Sequence, residues 1–129
     1  MLPPPARPRA NVLILDDDAG VRDVCTSLLH ALGYGASGAE DRAQALATLR
    51  GDGAQVALAM VDLELPGAQD GSLVRALKVQ QPELRVLLMS GRPRADLSRF
   101  LAIGADAVLE KPFRLGELDQ SLDVALARA

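Results

Sequence analysis

Cysteine is scarce in this chain, and so are histidine, excess basic charge and long apolar runs. One cysteine, Cys25, permits no intrachain disulfide framework, which fits a reducing compartment. Its spacing with Val21, Leu28 and Leu32 places it on the inner face of a helix, where a free cysteine behaves as a small apolar residue. The formal net charge of −3 leaves no basic footprint for nucleic acid. Five Lys or Arg residues do fall between Arg75 and Arg94. Apolar runs and prolines interrupt them, so they read as a solvated surface. No run approaches the ~20 residues of a membrane span, and no signal-peptide pattern opens the chain. Together these absences point to a soluble, cytoplasmic protein with no membrane or nucleic-acid partner. The single histidine, His30, sits late on a helix beside Gly33, an ordinary place for a cation, and is not expected to be catalytic.

What is present is apolar and periodic. With 129 residues, 49% of them apolar, the chain is long enough to bury one core. Residues 1–10, MLPPPARPRA, are proline-rich without an apolar face and are expected to form a disordered tail; residues 11–129 form the domain. Strand and helix patterns then alternate five times. Strands are expected at residues 11–15, 34–38, 56–61, 85–89 and 107–110. Helices are expected at residues 19–32, 41–50, 72–80, 94–103 and 115–128. Val21, Val24, Leu28, Leu29 and Leu32 would line the inner face of the first helix. Leu97, Phe100 and Leu101 would do so on the fourth, and Leu115, Leu118, Leu122, Ala125 and Leu126 on the fifth. The second strand is weak, because Gly35, Ala36, Ser37 and Gly38 form strands poorly. Gly33 stops the first helix and Gly51-Asp52-Gly53 the second. Five such units imply an α/β fold, a parallel sheet with helices on both faces.

Charges stand at the carboxyl ends of three apolar runs. Asp16-Asp17-Asp18 follow Val12–Leu15, Asp62 follows Ala57–Val61, and Lys111-Pro112 follow Ala107–Glu110. Unbroken apolar runs of this length read as strands buried on both faces. Open α/β sheets bind ligands outside the carboxyl ends of their strands. Several carboxylates and one ammonium would then converge on one rim. Carboxylates crowded together repel unless a cation joins them, so the set predicts a hard, oxygen-liganded ion, Mg2+. Asp18 precedes Ala19-Gly20-Val21 and reads instead as the cap of the first helix. A lone carboxylate such as Asp62 at the end of a buried strand is costly without partners.

In register with these runs, VLILDDD, MVDLELPG, the Asp70-Gly71 step, VLLMSG and EKPF resemble the receiver domain of bacterial two-component response regulators, over residues 11–128. The resemblance implies a flavodoxin-like sheet in the order 2-1-3-4-5 flanked by five helices. It implies that Asp62 accepts a phosphoryl group from a phosphohistidine on a sensor histidine kinase or a histidine phosphotransfer protein. It further implies Mg2+ held by Asp17 and Asp62 directly, by Asp16 mainly through water, and by the Glu64 backbone carbonyl. Lys111 would pair with Asp62 before transfer and with the phosphoryl oxygens after it. Ser90 would hydrogen-bond the phosphoryl, and the Lys111-Pro112 peptide would be cis. Such a domain is a phosphoacceptor signalling module rather than an enzyme, its chemistry limited to its own phosphotransfer and dephosphorylation.

Three departures from the family pattern stand out. Val108 occupies the usual place of an aromatic switch residue. The loop Pro66–Gly71 is one residue longer than usual. Glu64 and Arg92 flank the acceptor and are placed to pair over it, hindering an attacking water. The expected protein is a single-domain response regulator, monomeric, acting by partner binding or onward transfer. The alternatives are a receiver fragment of a hybrid histidine kinase or longer regulator, a constitutive pseudo-receiver, and a haloacid-type hydrolase. The intact Asp16, Asp17, Asp62, Ser90 and Lys111 weigh against the pseudo-receiver. The hydrolase would need its nucleophile after the first strand, whereas Asp62 follows the third.

Overall fold

Five apolar runs pair side by side as parallel strands. A computed structural model describes residues 9–51 and 55–127. Along the chain lie β1 (Asn11–Leu15), α1 (Ala19–Ala31), β2 (Gly35–Ala39), α2 (Arg42–Arg50), β3 (Val56–Asp62) and α3 (Ser72–Gln80). There follow β4 (Arg85–Ser90), α4 (Arg94–Leu97), a 3-10 segment (Ser98–Ile103), β5 (Ala107–Glu110) and α5 (Leu115–Ala127). The sheet order is β2-β1-β3-β4-β5, every neighbouring pair parallel. The order reverses between β1 and β3, so their carboxyl ends border the crevice where such sheets bind ligands.

The two-residue period of a strand explains the unbroken apolar runs. Leu13, Leu15, Ala59, Val61, Val86, Leu88 and Val108 face one side, where α2, α3 and α4 supply Ala45, Leu73, Val74, Leu77 and Leu97. Val12, Ile14, Leu58, Met60, Leu87, Met89 and Leu109 face the other, against Cys25 and Leu29 of α1 and Leu118, Leu122 and Ala125 of α5. Every second residue thus enters a different core, and neither phase can be polar. A register shift between Asn11 and Val12 skips Ala57, which puts Val56 in the same layer as Ala59. β2 is one of the two edge strands, with Ser37 and Gly38 exposed.

Local signals account for the element ends. Asp18 Oδ1 accepts from the N–H of Gly20 (2.8 Å) and Val21 (3.3 Å), capping α1 as its sequence position implied. Gly33 closes α1 with φ 91°, its N–H donating to His30 O, while Tyr34 N–H returns to Leu29 O. Asp41, expected as the first residue of α2, is instead its N-cap, accepting from Gln44 N–H at 2.9 Å.

Several expectations need correction. The fourth helix has one α-turn and then continues as 3-10 helix. Its inward residues Leu97, Phe100 and Ile103 recur every three positions, the period of a 3-10 helix, and Leu101 is left 39% exposed. Val24 is exposed, because the inner stripe of α1 runs through Cys25 and Leu29. Leu115 opens α5 half in solvent, and Ser121 takes a buried place that the apolar pattern did not assign. Arg9 and Ala10, assigned to the tail, join the fold. Arg9 N–H donates to Gly33 O at 2.8 Å, its guanidinium lies 4.6 Å from the Tyr34 ring centroid, and Ala10 O accepts from Gly35 N–H. The remainder of the expected tail, Asp52, Gly53 and Arg128 lie outside the described residues.

Candidate functional site

Three carboxylates reach one point from two strand ends. Asp16 and Asp17 leave β1 and Asp62 ends β3, the two strands at the topological switch. One ligand oxygen from each lies within 4.8 Å of the others. Asp16 and Asp62 are buried and Asp17 is exposed. Neighbouring strands bring the rest: Ser90 ends β4 and Lys111 follows β5. Lys111 Nζ sits 3.0 Å from Asp16 Oδ2 and 3.6 Å from Asp62 Oδ1. It reaches Asp62 as expected, but its shorter contact is to Asp16. The Lys111-Pro112 peptide is cis, and Lys111 N–H donates to Ser90 O at 2.6 Å.

Backbone donors answer part of the negative charge. Asp18 N–H donates to Asp16 Oδ1 (2.9 Å), and Glu64 N–H to Asp62 Oδ1 (3.2 Å). Both oxygens of Asp16 are thereby engaged, one by Asp18 and one by Lys111. Ser90 is buried, and its Oγ accepts from Arg92 N–H at 3.0 Å. That bond leaves the hydroxyl hydrogen available to a further acceptor.

The electrostatics match a site built for a cation. Burial pushes the Asp62 carboxyl above its usual value, the Glu64 N–H and Lys111 oppose this, and Asp16 and Asp17 add to it. For Lys111, burial favours the neutral form. The hydrogen bond to Asp16 and the charges of Asp62 and Asp16 outweigh it and raise the pKa. An all-oxygen donor set with surplus negative charge and one exposed carboxylate fits a hard divalent ion. Cys25 lies close enough to feel Asp16 and Lys111. Burial pushes its thiol up to about 11, so it is an inert packing residue, as its spacing implied.

Other residues fall where the sequence pointed, or show what it did not. Arg92 Nε and Glu64 Oε1 pair at 3.2 Å. The loop at residues 66–71 tucks Ala68 into the core, and at Gly67 (φ 80°) a Cβ would lie 2.5 Å from Ser72 Oγ. Of the basic residues between Arg75 and Arg94, Lys78 and Arg85 bind Asp106 and Arg92 binds Glu64. They are occupied at home, consistent with an ordinary surface. His30 stands twelve residues beyond the Asp18 cap, roughly 18 Å along the helix axis. Sequence reasoning missed Arg22, whose Nη1 donates to Asp16 O at 2.7 Å. Gly38 makes room for it: a Cβ there would meet Arg22 Cδ at 3.1 Å. It also missed Asp106, a buried carboxylate at the opposite end of the sheet. The signal existed, since Asp106 stands alone against a buried strand just as Asp62 does.

The sequence and the architecture match known proteins. The response regulator receiver domain model matches residues 12–123. The transcriptional regulatory protein FixJ of Bradyrhizobium diazoefficiens is 29% identical over 94% of this chain, which covers 58% of FixJ. SphR of Synechococcus elongatus, an alkaline phosphatase synthesis transcriptional regulatory protein, is 31% identical over 92% of the chain, which covers 49% of SphR. The chain thus spans about half the length of these relatives. Among solved structures, a CheY-like receiver domain protein from Methanospirillum hungatei is 26% identical, with a TM-score of 0.75. The likeness covers 92% of this chain and 94% of that one. Chemotaxis response regulator CheY4 of Vibrio cholerae is also 26% identical, with a TM-score of 0.76 over 91% of this chain and 98% of its own. The family match and the strand order agree, and the chain belongs to the response regulator receiver domain family.

Proposed function

We propose that this domain accepts a phosphoryl group on Asp62, in the presence of Mg2+, from a phosphohistidine on a sensor histidine kinase or a histidine phosphotransfer protein. The observation that carries the proposal is the convergence of Asp16, Asp17 and Asp62 against Lys111 and beside Ser90. In the transfer a carboxylate oxygen of Asp62 attacks phosphorus. The N–P bond breaks, and its electron pair leaves with the imidazole. Phosphoryl transfer of this kind needs positioning and charge neutralisation more than covalent help. Asp17 and Asp62 would hold the ion directly, with the Glu64 backbone carbonyl as a further ligand. Asp16, with both oxygens engaged, would act through water. Bound there, Mg2+ would neutralise charge on the phosphoryl oxygens. Lys111 stands 3.6 Å from Asp62 Oδ1 as a compact point charge. The Ser90 hydroxyl, oriented by Arg92 N–H, donates to a phosphoryl oxygen.

A kinase or phosphotransfer protein is the partner this chemistry requires. The domain would signal in the cytoplasm, as a monomer, by binding a target or passing the group on. No helix among the described residues is long and apolar enough to cross a membrane. A second reading, a receiver within a longer regulator, is favoured by one observation: the chain spans about half of FixJ and SphR. One relative, from Mycobacterium tuberculosis, is named a DNA-binding response regulator, MtrA. This chain, with net charge −3, carries no basic stripe that would bind DNA by itself. Incubation with acetyl phosphate tests the proposal: a phosphoryl adduct on the protein should form with Mg2+ and not with chelator. Equal labelling under both conditions would contradict the metal assignment.

A further inference from the structure

Arg22 stands near the amino end of α1, where the helix dipole favours anions over cations. Its side chain explains the placement. Nη1 donates to Asp16 O at 2.7 Å in a part-buried setting. That carbonyl belongs to the peptide that joins Asp16 to Asp17. The side chain gets there by passing over Gly38 of β2, where a Cβ would meet Cδ at 3.1 Å and Nε at 3.5 Å. The other polar groups of Asp16 are held as well. Its N–H donates to Ala39 O at 3.1 Å, and its carboxylate oxygens accept from Asp18 N–H and Lys111 Nζ. The Arg22 bond is the one that fixes the far side of Asp16, and so the direction in which the chain leaves for Asp17. Asp17 is the exposed member of the carboxylate cluster.

We propose that Arg22 is a positioning residue for the metal site. By pinning the Asp16–Asp17 peptide it holds the Asp17 carboxylate where it can share an ion with Asp62, and Gly38 gives it the room to do so. This inference rests on the Mg2+ reading above. A ligand fixed beforehand loses less freedom when the ion binds, so affinity rises. Charge alone predicts the opposite, because a guanidinium beside a divalent cation repels it. The two effects differ in sign, and loss of Arg22 tells them apart. Salt screens the repulsion and leaves the hydrogen-bonded geometry in place.

The test titrates Mg2+ into the full chain by calorimetry at about 0.15 M salt. Arg22→Ala should raise the Mg2+ dissociation constant roughly three- to tenfold. Arg22→Lys, which keeps the charge and a donor, should recover part of that loss. Gly38→Val should weaken Mg2+ binding by displacing Arg22, although valine is the better strand former. In an Arg22→Ala background it should add nothing. With acetyl phosphate as donor, the Mg2+ concentration for half-maximal labelling should rise in Arg22→Ala by the same factor. The labelling rate at saturating Mg2+ should stay within about twofold, a split that a merely loosened fold would not give. An unchanged or tighter dissociation constant in Arg22→Ala, or a Gly38→Val effect of equal size without Arg22, overturns the inference. Absence of Mg2+ binding by the unmodified chain would overturn the metal assignment itself, and the inference with it.

Discussion

Asp62 is strained electrostatically before any ligand arrives. Its carboxyl pKa is raised in the fold, chiefly by burial, so the proton is held more tightly there than in the unfolded chain. Its contribution to stability is therefore fully present below the unfolded pKa and is lost as pH rises through the folded value. At neutral pH the ionised form costs stability, and Asp62→Asn should raise the melting temperature of the metal-free domain by roughly 2–5 °C. Asp17→Asn removes a negative charge from the same cluster. It should leave the metal-free fold intact or more stable while abolishing most of the Mg2+-induced rise in melting temperature. An unchanged Mg2+ response in Asp17→Asn would sink its assignment as a ligand. Asp106 answers to opposite logic. It accepts from Val86 N–H at 2.8 Å and from Lys78 Nζ at 3.0 Å at the far end of the sheet. Asp106→Ala leaves a buried donor unpaired and should cost about 1–3 kcal/mol, read by denaturant unfolding, without weakening the Mg2+ response. A loss of that response would show that the two ends of the sheet are coupled.

At the scale of elements, strands were easier to read than helix faces. The runs of β1, β3, β4 and β5 are largely apolar in both phases, so they could be read from composition alone; even the weak GASGA segment forms an edge strand, β2. The α4 region misled because Leu97, Phe100 and Leu101 suit an α-helix as well as Leu97, Phe100 and Ile103 suit a 3-10 segment. Only packing against β5 decides between them. At the site, the convergence of Asp16, Asp17, Asp62, Ser90 and Lys111 was legible because each ends or closely follows a strand. Arg22 was not, since its contact depends on a side chain of α1 reaching the backbone after β1. Val108 shows what a strand position means for signalling. It is buried beside Leu88, and a recess of about 160 Å³ opens near it, lined by Leu101, Ser121 and Val124. A stiff branched side chain cannot swing through that space as an aromatic ring would. Beryllofluoride binding should therefore shift NMR signals strongly over residues 90–94 and weakly at Val108. Shifts at Val108 as large as those in the loop would show that another residue carries the switch.

For the whole molecule, the parallel sheet places the carboxyl ends of β1, β3, β4 and β5, and with them Asp16, Asp17, Asp62, Ser90 and Lys111, on one rim. Two cores hold that rim from beneath, one on each face of the sheet. The carboxylates are thereby crowded where a cation could relieve them. The most direct test of this account is the site of phosphorylation. The intact chain is treated with acetyl phosphate and Mg2+, and the adduct is located by mass spectrometry after reductive trapping. The account predicts a single alkali-labile phosphoryl group on Asp62, absent from Asp62→Asn. Label that persists in Asp62→Asn, or that appears on His30, would contradict it.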